Sequence, residues 1–308
     1  MKKIPHPIQY QGSKRNLAPA ILEYFPNNIN KLVEPFSGSA AISIAAAWNN
    51  LAGSYLINDL NKPLIDLLRL IVEEPDKTAS AYERIWSQQH KDSVEHYYAV
   101  RENFNRSQDP FIFLYLLARC VKGAVRYNSD GYFNQSPDKR RYGTNPSNMR
   151  SNIYGVSSLL KGKSIFSSLD YRNLLKDLGE QDLVYMDPPY QGVCGERDSR
   201  YFSGISHDDF VSALDELNSM GISYIVSYDG RRGNKRFGET LPKKLDLYCV
   251  ELHAGRSSQS TLLGREEITY ESLYISPALK ERISGRKIKY DNSVINQKPL
   301  FEPRANYV

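Results

Sequence analysis

Asp187-Pro188-Pro189-Tyr190 stands directly behind the apolar run Leu183-Val184-Tyr185-Met186. A short apolar run ending at a turn reads as a buried strand, and open α/β sheets place their ligands at the carboxyl ends of strands. Two prolines fix φ and remove two backbone donors. The turn then offers acceptors only: the Asp187 carboxylate and the carbonyls of Asp187 and Pro188. Such a turn suits a planar amino group, and the face of Tyr190 suits the ring that carries it. Acceptors pulling on the amine hydrogens leave the nitrogen electron-rich and aim its lone pair at an electrophile. The plainer reading of the same residues is a strand ending in a Pro-rich turn with a solvated Asp.

A second pattern lies upstream. Val33-Glu34-Pro35-Phe36-Ser37-Gly38-Ser39 joins a strand signal to an Ala-rich helix signal. Glycine in such a loop lets a ligand approach the backbone at the positive end of a helix. Asp59 follows Gly38 by 21 residues, a spacing at which an acidic side chain reaches ribose hydroxyls. Alone, this loop is a weak motif, since the full GxGxxG pattern is missing.

These groups need elements to position them. The 308 residues suffice for one large domain or two modest ones, and 41% hydrophobic with 24% charged residues is ordinary for a globular chain. Strand and helix signals alternate over about 1–74: a helix from Lys14 to Phe25, strands at Lys31–Pro35 and Ser54–Asn58, and helices at Ala40–Asn50 and Pro63–Val72. Residues 75–165 read differently. Helices are expected at Asp76–Gln89, Ser93–Arg106 and Pro110–Val121, then a hairpin turn at Asn128-Ser129-Asp130-Gly131, then the polar, basic stretch Pro137–Asn148. Alternation resumes with strands at Ser164–Ser167, Leu183–Met186, Tyr224–Ser227, Leu245–Glu251 and Tyr270–Ser276, and helices at Tyr171–Leu178 and Asp208–Met220. Alternation on both sides of a dissimilar middle predicts an α/β fold, one doubly wound sheet interrupted by an insert. No structure is expected for the polar tail after about Pro277.

Three widely spaced cysteines (Cys120, Cys194, Cys249) exclude a disulfide framework and a cysteine zinc site, and fit a reducing cytosol. Neither a signal peptide nor a membrane span is expected. The net charge of +5 is mild, but it is unevenly distributed. Residues 119–163 hold nine Lys or Arg against Asp130 and Asp138, a local +7, and residues 280–289 hold a further +4, leaving −6 for the rest. Tyr127, Tyr132, Phe133 and Tyr142 are interleaved with the basic residues, a composition suited to gripping phosphates and touching bases. Arg126 suits a guanine edge and Asn128 or Asn134 an adenine edge, while Lys139, Arg140 and Arg141 suit phosphates. A solvated loop is the commoner meaning of a charge run.

Taken together, these segments resemble the amino-group DNA methyltransferases that use S-adenosylmethionine, and among them the Dam-type N6-adenine enzymes. Ile8-Gln9-Tyr10-Gln11-Gly12-Ser13-Lys14 is similar to their N-terminal cofactor motif, the loop at Val33–Ser39 to their glycine loop, and Asn58-Asp59 to the acid ending their second strand. Arg126-Tyr127-Asn128 with Gly131-Tyr132-Phe133-Asn134 resembles their recognition hairpin, and Asp187-Pro188-Pro189-Tyr190 their catalytic tetrapeptide. The resemblance spans most of residues 8–275 in the family's order. It implies a Rossmann-like methyltransferase sheet formed by 1–74 and 166–308, with a mainly helical target-recognition domain at 75–165 carrying a β-hairpin.

It further implies an S-adenosylmethionine site built from Tyr10, Gly12, Lys14, Glu34, Phe36, Gly38, Ser39, Asp59, Asp170 and Asp187. Within it, Lys14 reaches the methionine carboxylate and Asp170 lies near the adenine. A plain exposed lysine and a plain helix N-cap are the bland alternatives for those two. Catalysis falls to Asp187, Pro188, Pro189 and Tyr190, and DNA contact to Arg126, Tyr127, Asn128, Tyr132, Asn134, Lys139, Arg140 and Arg141. The implied reaction methylates N6 of an adenine flipped out of double-stranded DNA, with the Gly-containing loop through Gly192, Gly195 and Tyr201-Phe202 ordering over the base and no metal required. GATC-specific members follow the hairpin with a Val-Pro stretch. Gln135-Ser136-Pro137 stands here instead, which leans toward restriction-system enzymes with non-palindromic sites. A cytoplasmic, bacterial or phage-encoded protein at the nucleoid is expected. Its partner would be a cognate restriction endonuclease, linked in function without stable binding. Methylation of cytosine N4, an RNA or protein methyltransferase, and a silent DNA-binding protein are the rival readings.

Overall fold

The computed structural model describes residues 3–90, 92–189, 205–232, 235–237, 240–256 and 268–284. Tyr190, Gly192, Cys194, Gly195, Tyr201, Phe202 and the tail cations Arg286, Lys287 and Lys289 lie outside them.

Strands β1 (Ile29–Glu34), β2 (Ala52–Asn58), β3 (Ser164–Ser167), β4 (Leu183–Met186), β5 (Ser223–Arg232), β7 (Tyr248–Arg256) and β8 (Ile268–Ile275) form one sheet in the order β3-β2-β1-β4-β5-β8-β7, while β6 (Lys235–Phe237) pairs with β5. The five from β3 to β5 are parallel, and β8 runs antiparallel between β5 and β7. The chain starts at β1, moves outward through β2 and β3, then returns to β4 on the other side of β1. The loops after β1 and β4 therefore diverge, and the crevice between them is the switch point where such sheets bind ligands.

Burial on both faces explains why the central strands read as unbroken apolar runs. Leu183 and Tyr185 face one core, whereas Val184 and Met186 face the other. The first core lies under α1 (Ala18–Leu22), α2 (Ala41–Trp48) and α3 (Lys62–Glu73), and the second under α8 (Tyr171–Leu174) and α9 (His207–Ser219). Seven of the eight α2 residues are buried. Alanines there let the helix lie close on the sheet. Between β2 and β3 stand α4 (Pro75–Ser87), α5 (Ser93–Ser107), α6 (Pro110–Arg119) and α7 (Pro146–Leu160). Phe104, Phe113 and Phe133 of this segment pack in the same core as Leu68 and Ile71 of α3.

The expected elements are present with several differences, among them the unexpected β6 and a helix that ends at Leu174 where Leu178 was expected. The helix expected from Lys14 to Phe25 is broken into a 3-10 turn at Lys14–Asn16 and the short α1, and Leu17 caps the turn while opening the helix. The hairpin is reduced to isolated bridges, Tyr127 with Phe133 and Cys120 with Pro137, and the backbone groups of Phe133, which point away from Tyr127, bind Asn105. Helix α7 was not expected, nor was α10 (Pro277–Arg282).

Candidate active site

β1 and β4 pair in parallel through Leu32 with Leu183 and Val33 with Val184, so the glycine loop and the Asp187 turn emerge side by side. Between them lies a cavity of about 290 Å³ lined among others by Glu34, Phe36, Gly38, Asp59, Asp170 and Asp187. Tyr10, Gly12, Lys14, Ser39, Pro188 and Pro189 also line it. Every expected cofactor residue thus borders one cavity, whose size is near the lower end of small-molecule pockets, roughly 300 Å³.

Backbone geometry closes the glycine loop tightly. Gly38 has φ +49°, and a Cβ there would sit 2.9 Å from Cε1 of Tyr10, so the Tyr10 ring packs on bare backbone. The Gly38 N–H donates to Asp59 Oδ2 and the Asn61 N–H to Asp59 Oδ1, both at 2.9 Å. Burial raises the Asp59 pKa above the usual carboxylate value. Ala40 opens α2 at φ +55°, a left-handed conformation costing a non-glycine residue about 1–2 kcal/mol.

Asn58, 1% exposed, joins the three loops behind this wall. Its amide donates to Pro35 O and Leu169 O, and its Oδ1 accepts from Ser167 Oγ and the Leu169 N–H. Asn58→Ala leaves four polar groups, the Pro35 carbonyl among them buried, to find new partners, so a loss of about 1–3 kcal/mol in denaturant unfolding is expected.

Lys14 is buried rather than an exposed first-turn lysine. Its Nζ stands 3.0 Å from Asp187 Oδ1 and 3.2 Å from Glu271 Oε2. Glu34 accepts from the Ser43 N–H at 3.0 Å and from Ser43 Oγ at 2.5 Å. Burial, helped by the negative charge of Asp187, raises its pKa to about 8, which favours the protonated form of Glu34. Asp170 caps α8 by accepting the Arg172 N–H at 3.0 Å and pairs with Arg172 Nε at the same distance. It lines the cavity as well, so cap and cavity wall are one residue. The Phe36 ring lies 5.2 Å from that of Tyr171.

The basic segment follows a different logic. Arg126, Asn134, Lys139, Arg140 and Arg141 are exposed, and Tyr132 is half exposed. Tyr127 is not on the surface with them. It is buried against Phe133, and its hydroxyl donates to Asn61 Oδ1 at 3.2 Å. Since Asn61 lines the cavity, Tyr127 ties the turn to the cavity rim. Asn128 Oδ1 accepts the N–H groups of Asp130 and Tyr132, shaping the turn. Arg119, one of the nine cations of the run, is fully buried and donates to Asp138 O, Arg141 O and Ser93 O. With Tyr82 on Thr144 O, Gln89 on Tyr142 O and Tyr97 on Gln135 O, helices α4 to α6 and the 3-10 turn Gln88–His90 hold by its carbonyls a loop that has little regular structure.

The sequence reading missed Asn61, Tyr171 and Glu271. Glu271 had a signal: an acid in period two with the buried Leu273 and Ile275 of β8.

A family described as D12 class N6 adenine-specific DNA methyltransferase matches residues 10–253. The chain belongs to this family. It is 28% identical over 241 residues to the modification methylase StsI of Streptococcus sanguinis, which covers 73% of this chain and 35% of that protein. It is 28% identical over 208 residues to the DNA adenine methylase of Haemophilus influenzae, covering 66% and 68% of the two chains. A type II methyltransferase of Lactococcus lactis is 25% identical over 272 residues, 83% of this chain and 91% of its own length. The chain thus spans about a third of StsI and about two thirds of the Haemophilus enzyme. Among the described residues, no helix is long and apolar enough to cross a membrane.

Proposed function

We propose that this D12-class protein transfers a methyl group from S-adenosylmethionine to N6 of an adenine flipped out of double-stranded DNA, as part of a restriction–modification system. The observation that carries this reading is the Asp187 carboxylate, which borders the same cavity as the glycine loop at the sheet's switch point. Ser37 supports a ligand there: it lines the cavity, and its buried Oγ has no hydrogen-bond partner among the described residues. Tyr10, Gly38, Asp59, Glu34 and Phe36 are the residues proposed to hold the cofactor, with Asp170 toward its adenine end. S-adenosylmethionine supplies a methyl group already activated on a sulfonium centre.

The chain's own contribution is placement. Asp187 accepts a hydrogen bond from the target amine, and the two prolines keep competing donors out of that turn. As methyl transfer puts positive charge on the amine nitrogen, the fixed carboxylate stabilises it without reorganising. Lys14 holds that carboxylate at Oδ1, which supports a role beside the catalytic group in addition to its expected reach toward the methionine carboxylate.

The exposed cations of 126–141 and Tyr132 form the proposed duplex-binding face, with Tyr127 as its anchor. Changing Lys139, Arg140 and Arg141 to Gln is expected to weaken binding on all sequences and to reduce the slope of log K against log salt by about 3, at ~0.9 per phosphate contact. Changing Arg126 is expected instead to alter which sequence is methylated. Titrations at several salt concentrations measure the first, and an unchanged slope contradicts it. Incubated with methyl-labelled cofactor, the chain is expected to label duplex DNA and not RNA of the same sequence. Equal labelling overturns the choice of DNA. A cytoplasmic location at the nucleoid and a cognate endonuclease linked only in function complete the proposal.

A further inference from the structure

Glu271 lies on β8 at a register irregularity with β5: Ser227 faces Leu273, then Gly230 faces Glu271. Gly230 is needed for this close approach, since a Cβ there would stand 2.7 Å from the Tyr270 carbonyl oxygen. A bulge re-aims side chains, and here the Glu271 carboxylate meets the buried Lys14 Nζ at 3.2 Å while accepting from Ser227 Oγ at 3.3 Å. The same Nζ is 3.0 Å from Asp187 Oδ1. One ammonium therefore stands between two carboxylates, and the formal sum of the three is −1.

Resting on the methyltransferase reading above, we propose that Glu271 is a positioning residue for methyl transfer: it holds Lys14 beside Asp187 and keeps this three-charge group net negative. Without the Glu271 charge, the formal charges of Lys14 and Asp187 cancel each other. Such a pair still fixes one carboxylate oxygen, but it attracts a cationic methyl donor, or an amine gaining positive charge, less than the group with Glu271 does. Burial disfavours the charged form of Glu34, which opposes its taking over the lost charge. Glu271 thus lets a lysine orient Asp187 without cancelling the negative charge on which Asp187 acts.

The test uses the full chain and Glu271→Gln, which keeps an acceptor for Lys14 and Ser227 and removes only the charge. Calorimetric titrations with S-adenosylmethionine and with its neutral thioether product separate charge from shape. The cationic ligand is expected to lose about tenfold in affinity and the neutral one less than about twofold. In single-turnover assays the rate is expected to fall about tenfold with the KM for DNA unchanged, a smaller effect than deleting a direct contact to the reacting group. Glu271→Asp, which retains the charge, is expected to recover part of both. Equal weakening of the two ligands, or no change in either, overturns the proposal. If the wild-type chain binds neither ligand and labels no DNA, the methyltransferase reading itself falls. Wild-type activity matched by Glu271→Gln rejects only the role of Glu271.

Discussion

Asp187→Ala is expected to lower methyl transfer by on the order of 10³-fold while leaving duplex binding within about threefold. The two effects separate because the groups are apart in the fold. Asp187 sits at the end of β4 inside the cavity, whereas the exposed cations belong to the loop held by α4 to α6. The variant is expected to fold. Removing Asp187 leaves Lys14 its second carboxylate, Glu271 at 3.2 Å, so no buried ammonium is abandoned. Asp187 itself is the more exposed member, at 20% against 8% for Lys14. Single-turnover methylation and a gel-shift titration measure the two halves. Retained activity shows that placement by the remaining turn suffices and removes Asp187 from the chemistry. Lost activity together with lost binding points to a structural effect instead.

The second large effect concerns stability and pH. The Glu34 pKa is raised by burial from 4.5 to about 8 in the folded chain. Between those values the unfolded chain has released this proton and the folded chain still holds it. The folded state binds more protons there, so stability falls as pH rises, by up to about 1.4 kcal/mol per pH unit across the window. Glu34→Gln removes the titration and keeps an oxygen for both Ser43 donors. Urea unfolding at several pH values is expected to show the variant more stable than wild type by on the order of 3 kcal/mol at pH 8.5, with little difference at pH 4.5. Parallel curves contradict this account of Glu34.

Much of the site was legible in the sequence because its chemistry is local. A strand ending in Asp187-Pro188-Pro189 and a loop centred on Gly38 announce themselves by residue type, and the strand placements needed only shifts at their ends. What was not legible depends on distant pairing. Asn58 was noticed only as the neighbour of Asp59, yet it binds Leu169, 111 residues away. Tyr127 was expected on the surface with the other hairpin residues. Its hydroxyl is instead spent on Asn61, 66 residues upstream. Arg119 counted as one more surface cation, and no local pattern says that its charge is buried under loop carbonyls. Helix α7 is a different case. Met149, Ile153, Val156 and Leu160 recur at helical spacing and are all fully buried. Their signal stands behind a polar, basic stretch and is diluted by Ser, Asn and Gly155.

The central claim concerns the atom that receives the methyl group. Duplex DNA methylated by the full chain, digested to nucleosides and resolved by mass spectrometry, reads that atom directly. The acceptor turn at Asp187 in a D12-class chain predicts N6-methyladenine, absent from a control lacking S-adenosylmethionine. N4-methylcytosine without N6-methyladenine would show that the same turn serves the other exocyclic amine and would contradict the account.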